Sequence, residues 1–323
     1  MPDASEDQLN EAAGTWRDRG WVLVPGLVPT EEIDAALEDV RTMFPDAHDF
    51  HSDTPDRRRD EFYRRRNPDF VLKDTPAHGP AFRVDQFLGL RPFPFPGSGR
   101  LNRLVVHPQL LRFVRRALGT AAIRLYQAEL WAKYAGVTDY EQPFHTDNNH
   151  SLLPARPEPG WWHLEGFLYL SDVDTTSAPT RLVATSITHH ERRRGSLLPD
   201  DAPELYANEI SAPGPRGSLL AYRPDVWHRA TNLDEPGGSR FVLTTSFKPT
   251  GLDWVGYTPI AREGTNVFMQ RLIAGSTPDE LSVLGIPEPG HPVWTEGLVT
   301  GFKRMYPGLD VRPWRDALDT SAS

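Results

Sequence analysis

Along the first fifty residues the apolar positions follow two different periods. Leu9, Ala12, Ala13 and Trp16 recur at helical spacing between polar neighbours, and Gly20 follows as a stop, which predicts a helix over 5–19. Trp21-Val22-Leu23-Val24 is a short unbroken apolar run closed by Pro25-Gly26, the pattern of a buried strand. Thr30 reads as the N-cap of a second helix. Glu31 and Glu32 sit at its positive end, and Ile33, Leu37, Val40 and Phe44 form its buried stripe. A third helix opens near Pro108, runs through Leu111, Val114, Arg115 and Leu118, and stops at Gly119.

From 121 to 249 the texture changes to short β-type runs broken by turns, at 123–126, 129–134, 166–170, 182–183, 218–222 and 241–247. With no helical pattern between them, such runs predict an antiparallel sandwich or barrel. Residues 251–323 return to helix and loop, broken at Pro287-Glu288-Pro289-Gly290. Residues 45–100 follow no period. Their arginine runs, 57–59 and 64–66, are largely offset by Asp56, Asp60, Glu61 and Asp69 and read as a solvated, irregular segment, a candidate lid. The expectation is one domain over 1–323: additions over 1–120, a core carrying the site over 121–250, and a helix/loop extension over 251–323.

Composition narrows the chemistry. The chain has no cysteine, which removes disulfides, thiolate nucleophiles and cysteine-ligated metals; any metal site must use histidine and carboxylate. A net charge of −9 over 323 residues argues against nucleic acid as a partner. The opening residues, MPDASEDQLN, offer neither a basic nor an apolar signal region, and no apolar run reaches the roughly 18 residues a membrane span needs. A cytoplasmic protein with a small-molecule substrate is expected; the oligomeric state is not legible.

Most of the 11 histidines need no function. His145 differs, because Asp147 follows it two positions on. On an extended segment residues i and i+2 face one side, so imidazole and carboxylate converge. Such a pair is two-thirds of a facial triad of two histidines and one carboxylate, which binds Fe(II) and leaves coordination positions open. His228, after the strand 218–222 and the turn Arg223-Pro224-Asp225, fits as the third member. Arg240 then opens the strand 241–247, on what reads as a neighbouring strand. A cationic fork near Fe(II) suits a dicarboxylate cosubstrate. The same residues also admit a bland reading: His145 and Asp147 capping a turn, with His228 satisfied in a core.

These residues resemble the phytanoyl-CoA dioxygenase-like family of Fe(II)/2-oxoglutarate oxygenases. The likeness extends to Gly20–Leu27 with Thr30–Ile33, to His107–Gly119, to Leu125–Tyr134 and to Gly217-Ser218-Leu219, and so spans about 18–250. It implies a mainly β fold with α additions: a double-stranded β-helix (a cupin-like jelly-roll) flanked by N- and C-terminal helices. It also implies iron on His145, Asp147 and His228, and 2-oxoglutarate on Arg240, with Gln127, Lys133 and Thr231 near it. Asn148, Asn149, Trp131, Trp162 and Arg181 are candidate substrate contacts. With O₂, such an enzyme releases succinate and CO₂. Halogenating members carry a small residue in place of the carboxylate, so Asp147 implies hydroxylation. Ser177-Ala178-Pro179-Thr180 departs from the family's usual Glu-Asn-Gly, and Ala230 from its usual small hydroxyl residue. The alternatives are a cupin-like isomerase or hydrolase without 2-oxoglutarate, for which Arg240 has no use, and a non-catalytic ligand-binding jelly-roll.

Overall fold

The computed structural model describes residues 5–52, 89–95, 97–135, 141–154, 158–187, 197–256, 270, 273–278, 281 and 286–321. The arginine runs of the 45–100 segment lie outside them. Nine described strands form two sheets, all of whose pairings are antiparallel. The larger has the order β1-β7-β4-β9-β3-β2, with β1 Trp21–Val24, β2 Leu90–Pro92, β3 Ile123–Tyr134, β4 Glu165–Tyr169, β7 Leu219–Tyr222 and β9 Ser239–Pro249. The smaller has the order β6-β5-β8, with β5 Arg181–Leu182, β6 Ile210–Ser211 and β8 His228–Arg229. Single bridges extend it through Phe144 and His145, which meet Leu197 and His228. Two facing sheets with this connectivity are the expected jelly-roll.

Helices cover the outer face of the large sheet. The first, α1 (Glu6–Arg19), starts from Ser5 in a capping box with Gln8 and ends at Gly20, whose φ of 90° an L side chain rarely adopts. It buries Leu9, Ala13 and Trp16 against the sheet. The next, α2 (Thr30–Arg41), is shifted from expectation: Pro29 occupies the cap position and no side chain caps the helix, so Thr30 is its first residue. The helix α3 (Ala47–Ser52) and α4 (Gly99–Leu104) are short. In α5 (Pro108–Leu118) the buried face is Leu110, Phe113, Val114, Ala117 and Leu118; Val114 and Leu118 are as expected, whereas Leu111 is only partly buried and Arg115 is exposed.

Strand β3 is one element where the sequence reads as two runs; a register shift between Leu125 and Gln127 marks an irregularity rather than a break. Alternation along β3 and β9 sorts their side chains. Ala128, Leu130, Ala132 and Tyr134, with Phe241, Leu243 and Phe247, join the helix-side core. The opposite face of β9 carries Val242, which packs between the sheets with Tyr169, Leu182, Leu220 and Tyr222. Beyond the jelly-roll, α6 (Pro203–Ala207) covers the small sheet, with Leu205 packed on Phe144 and Trp227. The extension ends in α7 (Glu296–Met305) and α8 (Arg312–Ser321), whose apolar residues join Trp254, Trp294 and Leu152–Leu153 in a core of their own. Among the described residues no helix is long and apolar enough to cross a membrane.

Candidate metal centre

His145, Asp147 and His228 come together between the sheets, with one ligand atom from each lying within 4.8 Å of the others. The backbone sets this up. His145 and His228 exchange both hydrogen bonds of an antiparallel bridge, N–H to carbonyl at 3.0 Å each way, and Asp147 opens the turn Asp147–His150 immediately after. The two rings lie 4.4 Å apart.

Each imidazole is oriented by the carbonyl two residues before it: Nδ1 of His145 lies 3.1 Å from the Pro143 oxygen, and Nδ1 of His228 lies 3.1 Å from that of Val226. A carbonyl only accepts, so Nδ1 carries a proton, and in the neutral ring that leaves Nε2 with its lone pair. Nε2 of His228 sits 3.5 Å from Oδ2 of Asp147. Burial, with His228 beside it, drags the His145 pKa down to about 4. Burial opposes ionisation of Asp147, yet His228, His150, His145 and the Tyr222 hydroxyl hold its carboxyl well below the usual carboxylate range. The Nε2 atoms of two histidines and a carboxylate oxygen therefore converge in a buried place, a donor set that a cation among them would satisfy. The donor set fits a divalent metal such as iron.

Sequence reasoning missed Tyr222. Its hydroxyl donates to Asp147 Oδ2 at 2.7 Å, and its ring lies 4.5 Å from that of His228. It ends the strand that precedes the distal histidine, a position whose alternation points it inward, and that was the available signal. Also missed was a buried network next to Asp147. Glu165 accepts from His150 Nδ1 at 2.9 Å and from the hydroxyls of Tyr126 and Ser246. Burial disfavours the charge on both partners, but their mutual attraction wins: Glu165 titrates below its usual range and His150 is pushed up to about 9. Asp147, His150 and Glu165 also place ligand atoms within 4.8 Å of one another.

Arg240 and Lys133 lie opposite each other on β9 and β3, on the face that also carries Val242. Arg240 donates to the carbonyl of Ala178, a residue held at φ 55°. Lys133 is buried and donates to the Thr231 carbonyl at 2.5 Å, while the Thr231 hydroxyl is spent on Pro179 at 2.8 Å. Gln127 and Trp131 share this face and both donate to Glu129 Oε2 at 3.2 Å. One expectation is corrected: His228 and Arg240 are not on neighbouring strands. β8 belongs to the small sheet and β9 to the large one, so the connection between them crosses from sheet to sheet and the two residues approach the interior from opposite sides.

Two candidate substrate residues already have close partners. Arg181 pairs in register with Arg229, whereas Leu182 pairs with His228, so alternation turns Arg181 away from the triad and toward Glu209, at 3.8 Å. Trp162 packs edge-on against Trp16 and under the Arg223 guanidinium. Asn148 and Asn149 lie in the turn that Asp147 opens, and Oδ1 of Asn148 is buried with no hydrogen-bond partner among the described residues.

Behind the triad, Arg229 acts as a clasp. Its guanidinium holds Glu209 bidentately, at 2.7 and 3.0 Å, reaches Glu141, and lies over the rings of Tyr206 and Phe144. It thereby ties the segment bearing His145 to the strand bearing His228.

A family model described as phytanoyl-CoA dioxygenase matches residues 16–235, ending before Arg240 and the extension. No curated protein matches the chain. Among solved structures it is similar to the non-heme alpha-ketoglutarate-dependent epimerase SnoN from nogalamycin biosynthesis: 18% identity, 79% of this chain and 91% of that one covered, TM-score 0.50. SnoN has also been solved in complex with Fe3+, alpha ketoglutarate and nogalamycin RO, which matches at 17% identity, the same coverage and the same TM-score. The carbocyclase SnoK of the same biosynthesis matches at 16% identity, 76% and 83% coverage and TM-score 0.51.

Proposed function

The chain belongs to the phytanoyl-CoA dioxygenase family of Fe(II)/2-oxoglutarate-dependent enzymes, and from that premise we propose that it hydroxylates a small organic molecule, with iron on His145, Asp147 and His228 and the far carboxylate of 2-oxoglutarate on Arg240. The observation that carries the metal assignment is the convergence of His145, Asp147 and His228, with Nδ1 of each histidine on a backbone carbonyl so that both Nε2 atoms are left for a metal, and with Asp147 held by the Tyr222 hydroxyl. When bound, iron and 2-oxoglutarate supply the oxidising power, spending O₂ and releasing succinate and CO₂ as a hydrogen is taken from the substrate.

The protein's own part is orientation, charge and dryness. The carbonyls of Pro143 and Val226 fix the imidazole planes and tautomers. Arg240 and Lys133 place two cations side by side at the end of the interior face, which favours a dicarboxylate anchor over a neutral ligand. Gln127 is a candidate neighbour of that anchor, and Thr231 serves it through the carbonyl that holds Lys133. Phe167, Leu220, Tyr222 and Val242 give the space between the sheets an apolar side, which limits water beside the reacting centre.

Hydroxylation, rather than halogenation, is favoured because Asp147 supplies a carboxylate where a halide would otherwise sit, and its charge repels a second anion. The solved epimerase and carbocyclase share the fold, so the fold alone does not choose among such outcomes. Turnover under ¹⁸O₂ in excess chloride tests the reading: an ¹⁸O-labelled alcohol supports it, and a chlorinated or unlabelled product refutes it. Succinate formation should vanish in both His145→Ala and His228→Ala.

A further inference from the structure

Asp147 stands at the start of a turn of only four residues, Asp147–His150. So short a helical turn has little regular bonding of its own to fix where its first carboxylate points. The Ser151 N–H closes it on the Asn148 carbonyl at 3.2 Å. The rest of its orientation comes from outside.

A single cross-strand pair grips both ends of the turn. Tyr222 on β7 and Glu165 on β4 are direct partners in register, so their side chains leave the large sheet on the same face. Tyr222 donates to Asp147 Oδ2 at 2.7 Å, at the start of the turn. Glu165 Oε1 accepts from His150 Nδ1 at 2.9 Å, at its end. Glu165 is itself fixed, because it also accepts from the hydroxyls of Tyr126 on β3 and Ser246 on β9. Three strands of one sheet thus stand behind the second grip. The backbone at this end is held as well, by a segment beyond the family match. The Gly256 N–H donates to the His150 carbonyl at 2.8 Å, and the Leu152 N–H donates to the Trp254 carbonyl at 2.9 Å.

We propose that His150 and Glu165 are positioning residues of the metal centre: their bond fixes the far end of the turn, so that Asp147 meets the Nε2 atoms of His145 and His228. This rests on the reading of that triad as the iron site. Both partners are buried, at 6% and 3% exposure, so water competes little for the bond. Asp147, His150 and Glu165 also place ligand atoms within 4.8 Å of one another, as a second metal set would. A carboxylate only accepts, however, so His150 Nδ1 carries a proton, and that proton sits where a cation between the two would have to lie. The two form a closed pair that acts on the metal through Asp147.

The test titrates Co(II) into the full chain without 2-oxoglutarate, its visible ligand-field bands reporting affinity and geometry together. The wild type should bind a single Co(II), and His150→Leu should bind it about tenfold more weakly, with shifted bands. His150→Asn, whose amide nitrogen can take the place of Nδ1, should stay within about threefold of wild type, whereas His150→Gln, whose amide reaches the place of Nε2, should fall with the leucine variant. Ser246→Ala takes a different donor from Glu165 and leaves the grip on His150, so its affinity should also stay within about threefold of wild type. The Asn and Gln variants carry the comparison even where His150→Leu does not fold. Wild-type affinity in His150→Gln, no advantage of Asn over Gln, or an equal loss in Ser246→Ala would overturn the proposal and leave the triad standing. A second Co(II) that is lost with His150 would overturn it by making the pair ligands. A wild type that binds no Co(II) would refute the triad itself, and the proposal with it.

Discussion

Tyr222 shows how a residue outside a donor set can control it. Its hydroxyl holds Asp147 Oδ2 at 2.7 Å, and losing that bond frees the carboxylate to rotate. Groups that orient metal ligands from behind typically contribute 10–100-fold in metal affinity. Tyr222→Phe, which keeps the ring against His228, should therefore weaken Fe(II) binding about tenfold or more in a metal titration, with little change in melting temperature. Affinity equal to wild type would show that Asp147 is positioned by its turn alone. His145, Asp147 and His228 were legible in the sequence because two lie two positions apart and the third follows a strand. Glu165, His150, Tyr126 and Ser246 were not, because their network exists only where β3, β4 and β9 bring distant residues together. The face on which Arg181 lies was not legible for a related reason: in a two-residue strand it is decided by register with β8, which the sequence does not display.

The elements that matter most are short. β5, β6 and β8 have two residues each, and so little ladder pairing cannot hold two histidines in register unaided. Arg229 supplies the missing rigidity by joining Glu209, Glu141 and the Phe144 ring. Removing one partner of a mostly buried ion pair costs about 3–5 kcal/mol, because the remaining charges lose their counterion. Arg229→Ala should be destabilised by about 3 kcal/mol in denaturant unfolding, and should bind metal more weakly than its residual fold would require. A loss below about 1 kcal/mol would place the clasp among the weak surface pairs. The long strands and α1, α2 and α5 were legible because their apolar periods are long. The crossing between β8 and β9 was not, since consecutive strands usually pair and here they part into different sheets.

Across the whole molecule, two apolar cores meet at the site's edge. The jelly-roll contributes Leu152, Leu153, Tyr126 and Trp161 to the core of the extension, so neither part is complete without the other. Thermal unfolding should accordingly show one cooperative transition, and a chain cut after Thr250 should fail to give a soluble folded protein. Two resolved transitions would mean two domains. The sequence marked the extension as helix and loop but not its role, because its partners lie a hundred residues and more away. Whether the triad and Arg240 hold iron and 2-oxoglutarate together is read directly by an anaerobic absorption spectrum. Adding 2-oxoglutarate to the Fe(II)-loaded full chain should bring up a weak visible metal-to-ligand charge-transfer band. The band should be missing in His228→Ala and should need about 10–150-fold more cosubstrate in Arg240→Lys, where a point charge replaces the fork. An iron-loaded wild type that shows no band at saturating 2-oxoglutarate, or an Arg240→Lys protein that titrates like wild type, would contradict the account.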